Sequence, residues 1–334
     1  MTDDEALPSR GGRDVTEISP LLRLETDAHQ LTQHAPLLQL SVDGFIDAGH
    51  VRGQLAEHIL GTLEHRVIAS FDVDQLVDYR SRRPLMTFDS DHWAGIDEPS
   101  LVLYRVLDAD GQPFLFLHGV EPDYRWEGFV EAVHQVCLAF GVRRVVSAHG
   151  IPMAVPHTRP VGMTRFANQT ELIGDNQVLF GKVQVPGSVE ALLQLRLGEA
   201  GLETMGLAVH VPHYLADSTF GDAAVTALQA LAEMTRLRVP DEALVAAAGL
   251  NRAEITEQVQ ASPEVGEAVA ELEKRYDHFL EGQRKRSLLA AQVADLPSAD
   301  EIGAEFEEFL RSAADGAEPG SDAGPAGEDS GPKS

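Results

Sequence analysis

The chain has 334 residues and a formal net charge of -27, with 53 Asp or Glu against 26 Lys or Arg. A surface of that sign repels phosphate backbones and anionic lipid, which argues against nucleic-acid or membrane-surface binding and leaves a basic protein face open as a partner. No apolar run approaches the roughly eighteen residues of a membrane span, and the start "MTDDEALPSRGGRD" lacks the hydrophobic core of a signal peptide, so the cytoplasm is the expected compartment.

Residues 1–19 are polar and read as a disordered tail. "APLLQLSVDGF" predicts a buried strand ending at Asp43-Gly44, and "VRGQLAEHILGTLE" the helix after it. "HRVIASF" and "PLMTFD" are further strands, and "SLVLYRVLDADGQPFLFLHG" is a hairpin turning at Asp-Gly. The amphipathic "RWEGFVEAVHQVCLAFG" is a helix with Gly141 at its C-terminal cap; its Cys137, the single cysteine, reads as a buried core thiol. Strands in "VRRVVSAHG", "GMTRFAN" and "ETMGLAVHVP" then alternate with helices in "GSVEALLQLRLGEAG" and "FGDAAVTALQALAEMTRL". This alternation predicts an α/β domain over residues 20–240, a mixed or mainly parallel sheet with helices on both faces. Helical spacing without strand signal makes 241–290 a helical subdomain, whose acidic surface is one place for a basic partner to dock. Ser298 and Glu301 stand at capping-box spacing and open a last helix within 291–311, and 312–334 is an acidic, Gly/Pro-rich tail.

Open α/β sheets bind ligands outside the carboxyl ends of their strands, so the residues at those ends are the candidates. His118, His149, His157 and His213 fall there, with Asp43, Asp47, Glu121, Arg125 and Arg159. No metal or cofactor is expected: the histidines sit in separate loops without a His-x-x-x-His pair, and "VDGFIDAGHVRG" has neither P-loop nor Gly-x-Gly-x-x-Gly spacing. Arg82, Arg83, Arg125 and Arg159 suit an anion, and equally suit carboxylates of the chain itself. No Gly-x-Ser-x-Gly elbow marks a nucleophile. In "AVPHTRPVG", Pro156 and Pro160 keep the residues before them extended and so aim His157 and Arg159; "VHVPHYLAD" repeats the Val-Pro-His at His213. Two functions remain. In one, Asp47, Arg83, Glu121, Arg125, His157, Arg159 and His213 form a polar network, internal or at a subunit interface, of a non-catalytic protein. In the other, the rim is the pocket of a phosphorylase- or hydrolase-type enzyme: Arg83, Arg125 or Arg159 holds an anion, His157 or His213 moves a proton, and Asp47 orients the substrate.

"VDGFIDAG", "FDVDQLVDYRSRRP", "GVEPDYRWEGF", "AVPHTRPV", "VHVPHYLA" and "LPSADEIGAEFEEFLR", in this order, resemble the actinobacterial branch of the proteasome assembly chaperone family, the branch related to its second eukaryotic subunit. The likeness runs from about residue 20 to 311. It implies a three-layer α/β fold like that of purine nucleoside phosphorylases with a small helical C-terminal addition. It also implies homo-oligomers, a trimer among the forms, and a non-catalytic chaperone-like or protein-interaction role, which in the eukaryotic relatives is to hold proteasome core-particle subunits during ring assembly.

Overall fold

The computed structural model of the chain describes residues 19–25, 28, 35–174 and 181–294, with side chains as far as 282. Both tails and the helix expected from Ser298 lie outside the described residues. The chain divides into two compact units, Met1–Lys274 and Arg275–Ser334, and the sheet lies in the first.

Among the described residues ten strands form: β1 (Leu22–Leu24), β2 (Leu37–Val42), β3 (His65–Phe71), β4 (Met86–Asp89), β5 (His92–Ile96), β6 (Leu101–Leu107), β7 (Pro113–Gly119), β8 (Arg144–Met153), β9 (Met163–Ala167) and β10 (Glu203–Pro212). Eight of them make one sheet in the order β1-β3-β6-β7-β2-β8-β10-β9. Its centre, β7, β2, β8 and β10, is parallel, and the flanking pairs are antiparallel. β2, "LLQLSV", is buried at all six positions, as a central strand covered on both faces must be. Leu38, Leu40 and Val42 face one core and Leu37 the other.

Helices α1 (Val51–Thr62) and α4 (Gly221–Thr235) cover one face of the sheet; α2 (Trp126–Phe140) and α3 (Val189–Glu199) cover the other. The three-layer α/β expectation holds. On α2, residues such as Phe129, Val133 and Val136 recur at three- and four-residue spacing and are buried; Cys137 joins them, and burial pushes its thiol up to about 12. Gly141 ends α2 at φ 69, a left-handed cap that glycine adopts without strain. Fully burying a residue such as Phe129 contributes about 1.5–3 kcal/mol. After Asp241, α5 (Glu242–Gln260) lays Leu244 and Ile255 against the α1/α4 core, and α6 spans Pro263–Ala294. No described helix is long and apolar enough to cross a membrane.

β8 departs from the sequence expectation. It continues past Gly150 through Met153 because β10 pairs with it residue for residue, from Glu203↔Arg144 to Pro212↔Met153. His149, expected just beyond the strand, therefore sits inside it. Gly150 also meets the loop after β2: a Cβ there would fall 1.9 Å from the Ala48 carbonyl oxygen. Gly150→Ala should therefore lower stability by about 2 kcal/mol or more, read as a drop in the urea midpoint at unchanged slope. An unchanged midpoint would show that the two backbones separate at no cost.

Candidate functional site

The residues expected at the rim are placed in three locations. Asp47 is an anchor. Its carboxylate accepts the Arg52 N–H at 3.0 Å, the Gly53 N–H at 3.4 Å and, across to β8, the Gly150 N–H at 3.2 Å. The glycine-bearing turn that could receive an anion at the start of α1 thus already holds one, from within the chain.

The second location joins the two Val-Pro-His exits. The Tyr214 hydroxyl lies 2.7 Å from His157 Nδ1 and accepts the His157 backbone N–H at 2.9 Å. The exposed His213 ring stands edge-on to Tyr214, with centroids 5.5 Å apart. Arg159 pairs with Glu273 of α6 at 3.2 Å, and Thr158 donates its hydroxyl to the same carboxylate. Burial pushes the His157 imidazole below its ordinary range, against the opposing pull of Glu273 and Asp222.

The third location lies between the loop after β7 and the segment after the single helical turn Val73–Leu76. Arg82 pairs with Asp123 at 2.6 Å and donates to the Glu121 carbonyl. Glu121 accepts the N–H of Val189, the first residue of α3, at 2.7 Å; burial still raises its carboxyl above the usual range despite that bond and the Arg82 and Arg52 charges. Arg83 is exposed beside Asp43, Asp97 and His118 along a shallow groove. Arg125, in left-handed backbone at φ 59 ahead of α2, donates to Gln75.

The four histidines do not converge. His118 Nδ1 lies 3.0 Å from the Ser41 carbonyl and His149 Nδ1 3.6 Å from Glu190, while His157 and His213 share Tyr214.

One feature was only half visible in the sequence. "PLMTFD" is β4 of a separate two-stranded sheet whose other strand is β5, "HWAGI". Every residue of both strands is exposed, including Phe88 at 56% and Trp93 at 64%, and these two rings pair edge to face at 5.1 Å. The aromatic content of "HWAGI" was the available signal, weakened by the glycine within it.

A parallel-centred sheet with helices on both faces and its polar loops at the carboxyl edge defines an α/β protein of the doubly covered class. The family model described as the PAC2 family matches residues 41–259, and the chain belongs to that family. It is similar to a Mycobacterium tuberculosis protein described as of unknown function, with 43% identity, 86% of this chain and 96% of that one covered, and a TM-score of 0.77. A Corynebacterium glutamicum protein, also described as of unknown function, is 37% identical over 78% of this chain and 98% of its own, with a TM-score of 0.74. A Mycobacterium tuberculosis proteasome-assembly chaperone homologue, 23% identical over 70% of this chain and 99% of its own, has the same fold at a TM-score of 0.64. No curated protein matches.

Tyr214→Phe leaves the buried His157 N–H without an acceptor and should cost about 1–3 kcal/mol in urea unfolding; a cost near zero would deny Tyr214 its joining role. Burial also lowers the imidazole of His210, which meets the Thr164 hydroxyl at 2.9 Å. A lowered histidine favours the neutral folded form, so its contribution is whole above about pH 6.5 and is lost as pH falls through the folded value. The urea midpoint should therefore decline below about pH 6.5, less steeply in His157→Gln/His210→Gln than in the parent chain. Parallel profiles for the two proteins would contradict this.

Proposed function

We propose that the protein works without catalysis, as a chaperone-like interaction protein of the cytoplasm that forms homo-oligomers and takes proteins as partners, proteasome subunits first among them. The observation that carries this reading is the β4-β5 hairpin. A lone two-stranded hairpin is marginally stable in water, and this one holds Leu85, Met86, Phe88, Trp93 and Ile96 out to solvent, with no third strand pairing with it among the described residues. Such an element gains its stability by being covered, and a second copy of the chain, bringing the same apolar surface, is the occupant we assign. Membership of the PAC2 family and the fold shared with a proteasome-assembly chaperone homologue support the wider role.

The rim weighs toward this reading over an enzyme. Asp47, Glu121, Arg125, His157 and Arg159, the groups an enzyme would turn on its substrate, are each engaged by other residues of the chain.

Phe88→Glu/Trp93→Glu should convert the oligomer to monomer in light scattering at micromolar concentration, with the far-UV spectrum unchanged. A monomeric parent protein, or an oligomer that survives the double change, would refute the hairpin as the contact. Mixing the protein with separately purified core-particle α and β subunits should give co-elution and faster ring assembly; neither occurring would remove the proteasome from the proposal.

A further inference from the structure

The face of the sheet under α3 contains a cleft that the rim residues do not use. Alternation along β8 sends Ser147 and His149 to this face, and Glu190 and Gln194, one turn apart on α3, come down onto them. Gln194 donates to the Ser147 hydroxyl at 2.6 Å. Arg52, from the first turn of α1, reaches the same place. Above these groups opens a cavity of about 620 Å³, walled by Phe45, Ile46, Ile151, Phe166, Val183 and Val185.

Its floor is charged, buried and loosely paired. Glu190 is 6% exposed and Arg52 4%. Arg52 Nε stands 3.5 Å from Glu190 Oε2, and His149 Nδ1 stands 3.6 Å from Glu190 Oε1. These are ion-pairing distances at which hydrogen bonds are poorly made, and Arg52 Nε, His149 Nδ1 and Glu190 Oε2 are all buried without a hydrogen-bond partner. A buried charge is tolerated when paired, yet an unfilled donor beside an unfilled acceptor is costly, and apolar walls with a few polar atoms at the bottom are how small-molecule sites are built.

The floor also limits the ligand's charge. An anionic head would have to take Arg52 from Glu190, and Asp43 and Glu121 lie in the field of the same guanidinium. A cationic head would have to take Glu190 from Arg52. Either exchange strands a buried charge. A neutral group with one N–H and one C=O side by side does neither: its N–H meets the Glu190 carboxylate while its C=O accepts from the Arg52 guanidinium, both side chains lining the cavity. The aromatic rings of Phe45 and Phe166 favour a flat body. We propose that this cavity is a binding site for a neutral, flat, aromatic amide, its carboxamide or lactam edge seated on the Arg52–Glu190 pair. The proposal goes beyond the chaperone reading and does not depend on it.

The test keeps the ligand body constant and varies the head. Titrate the full chain calorimetrically with 2-naphthamide, 2-acetonaphthone (acceptor only), 2-naphthoate (anion) and 2-naphthylmethylamine (cation). The amide should bind saturably and at least tenfold more tightly than the other three. Glu190→Gln should shrink that preference severalfold. Ala191→Trp, at an exposed α3 position on the cavity wall, should abolish binding. Should either variant fail to fold, methyl NMR of Ile46 and Ile151 in the unaltered chain locates the amide directly, since both must shift on binding. No binding of any probe, equal binding of all four, tightest binding of a charged probe, or unmoved Ile46 and Ile151 methyls would overturn the proposal. Phe88→Glu/Trp93→Glu should bind the amide as the parent does, so failure of the hairpin reading and failure of this one are separable.

Discussion

The carboxylate of Asp47 is the tie on which the carboxyl edge of the sheet depends. Three backbone N–H groups, two from the first turn of α1 and one from β8, share its two oxygens. Charge-assisted bonds of this kind are about twice as strong as neutral ones, and they satisfy helix donors that would otherwise need water or a ligand. They also fix the loop that carries Phe45 and Ile46, and with it the start of α1, where Arg52 turns into the cleft. All of it requires bare backbone at Gly150, because the Ala48 carbonyl occupies the space a side chain would take.

The sheet separates two kinds of surface. In its antiparallel half, β3 and β6 pair directly, and the chain between them carries the exposed hairpin, which belongs to neither core. Its parallel half holds the buried ion pair and the cleft. One is an apolar protrusion and the other a recess with a polar floor. Tyr214 and Glu273 hold the proline-stiffened segment between β8 and β9 in place, so the polar residues aimed by those prolines act as fasteners of the structure.

Local pattern carried far into the fold. The continuous apolar run of β2, the Asp-Gly turn between β6 and β7, and the glycine closing α2 are each decided within a few residues, and each was legible. β1 is three residues long and exists by pairing with β3; the last residues of β8 exist by pairing with β10. No window of sequence contains such a cause. The site was less legible for the same reason. Glu190 looks like an ordinary acidic residue in the first turn of a helix, where the dipole welcomes it, and Arg52 like one on a surface helix. Only the fold shows that the two are buried against each other. The Val-Pro-His repeat was visible, but its meaning lay in Tyr214, the residue directly after the second copy.

The hairpin has a consequence for how this chain can change over time. Because no residue of β4 or β5 belongs to either core, substitutions there change the exposed surface and leave the packing of both cores as it is. Sequence change between Leu85 and Ile96 can therefore remodel an apolar surface while the scaffold stays fixed.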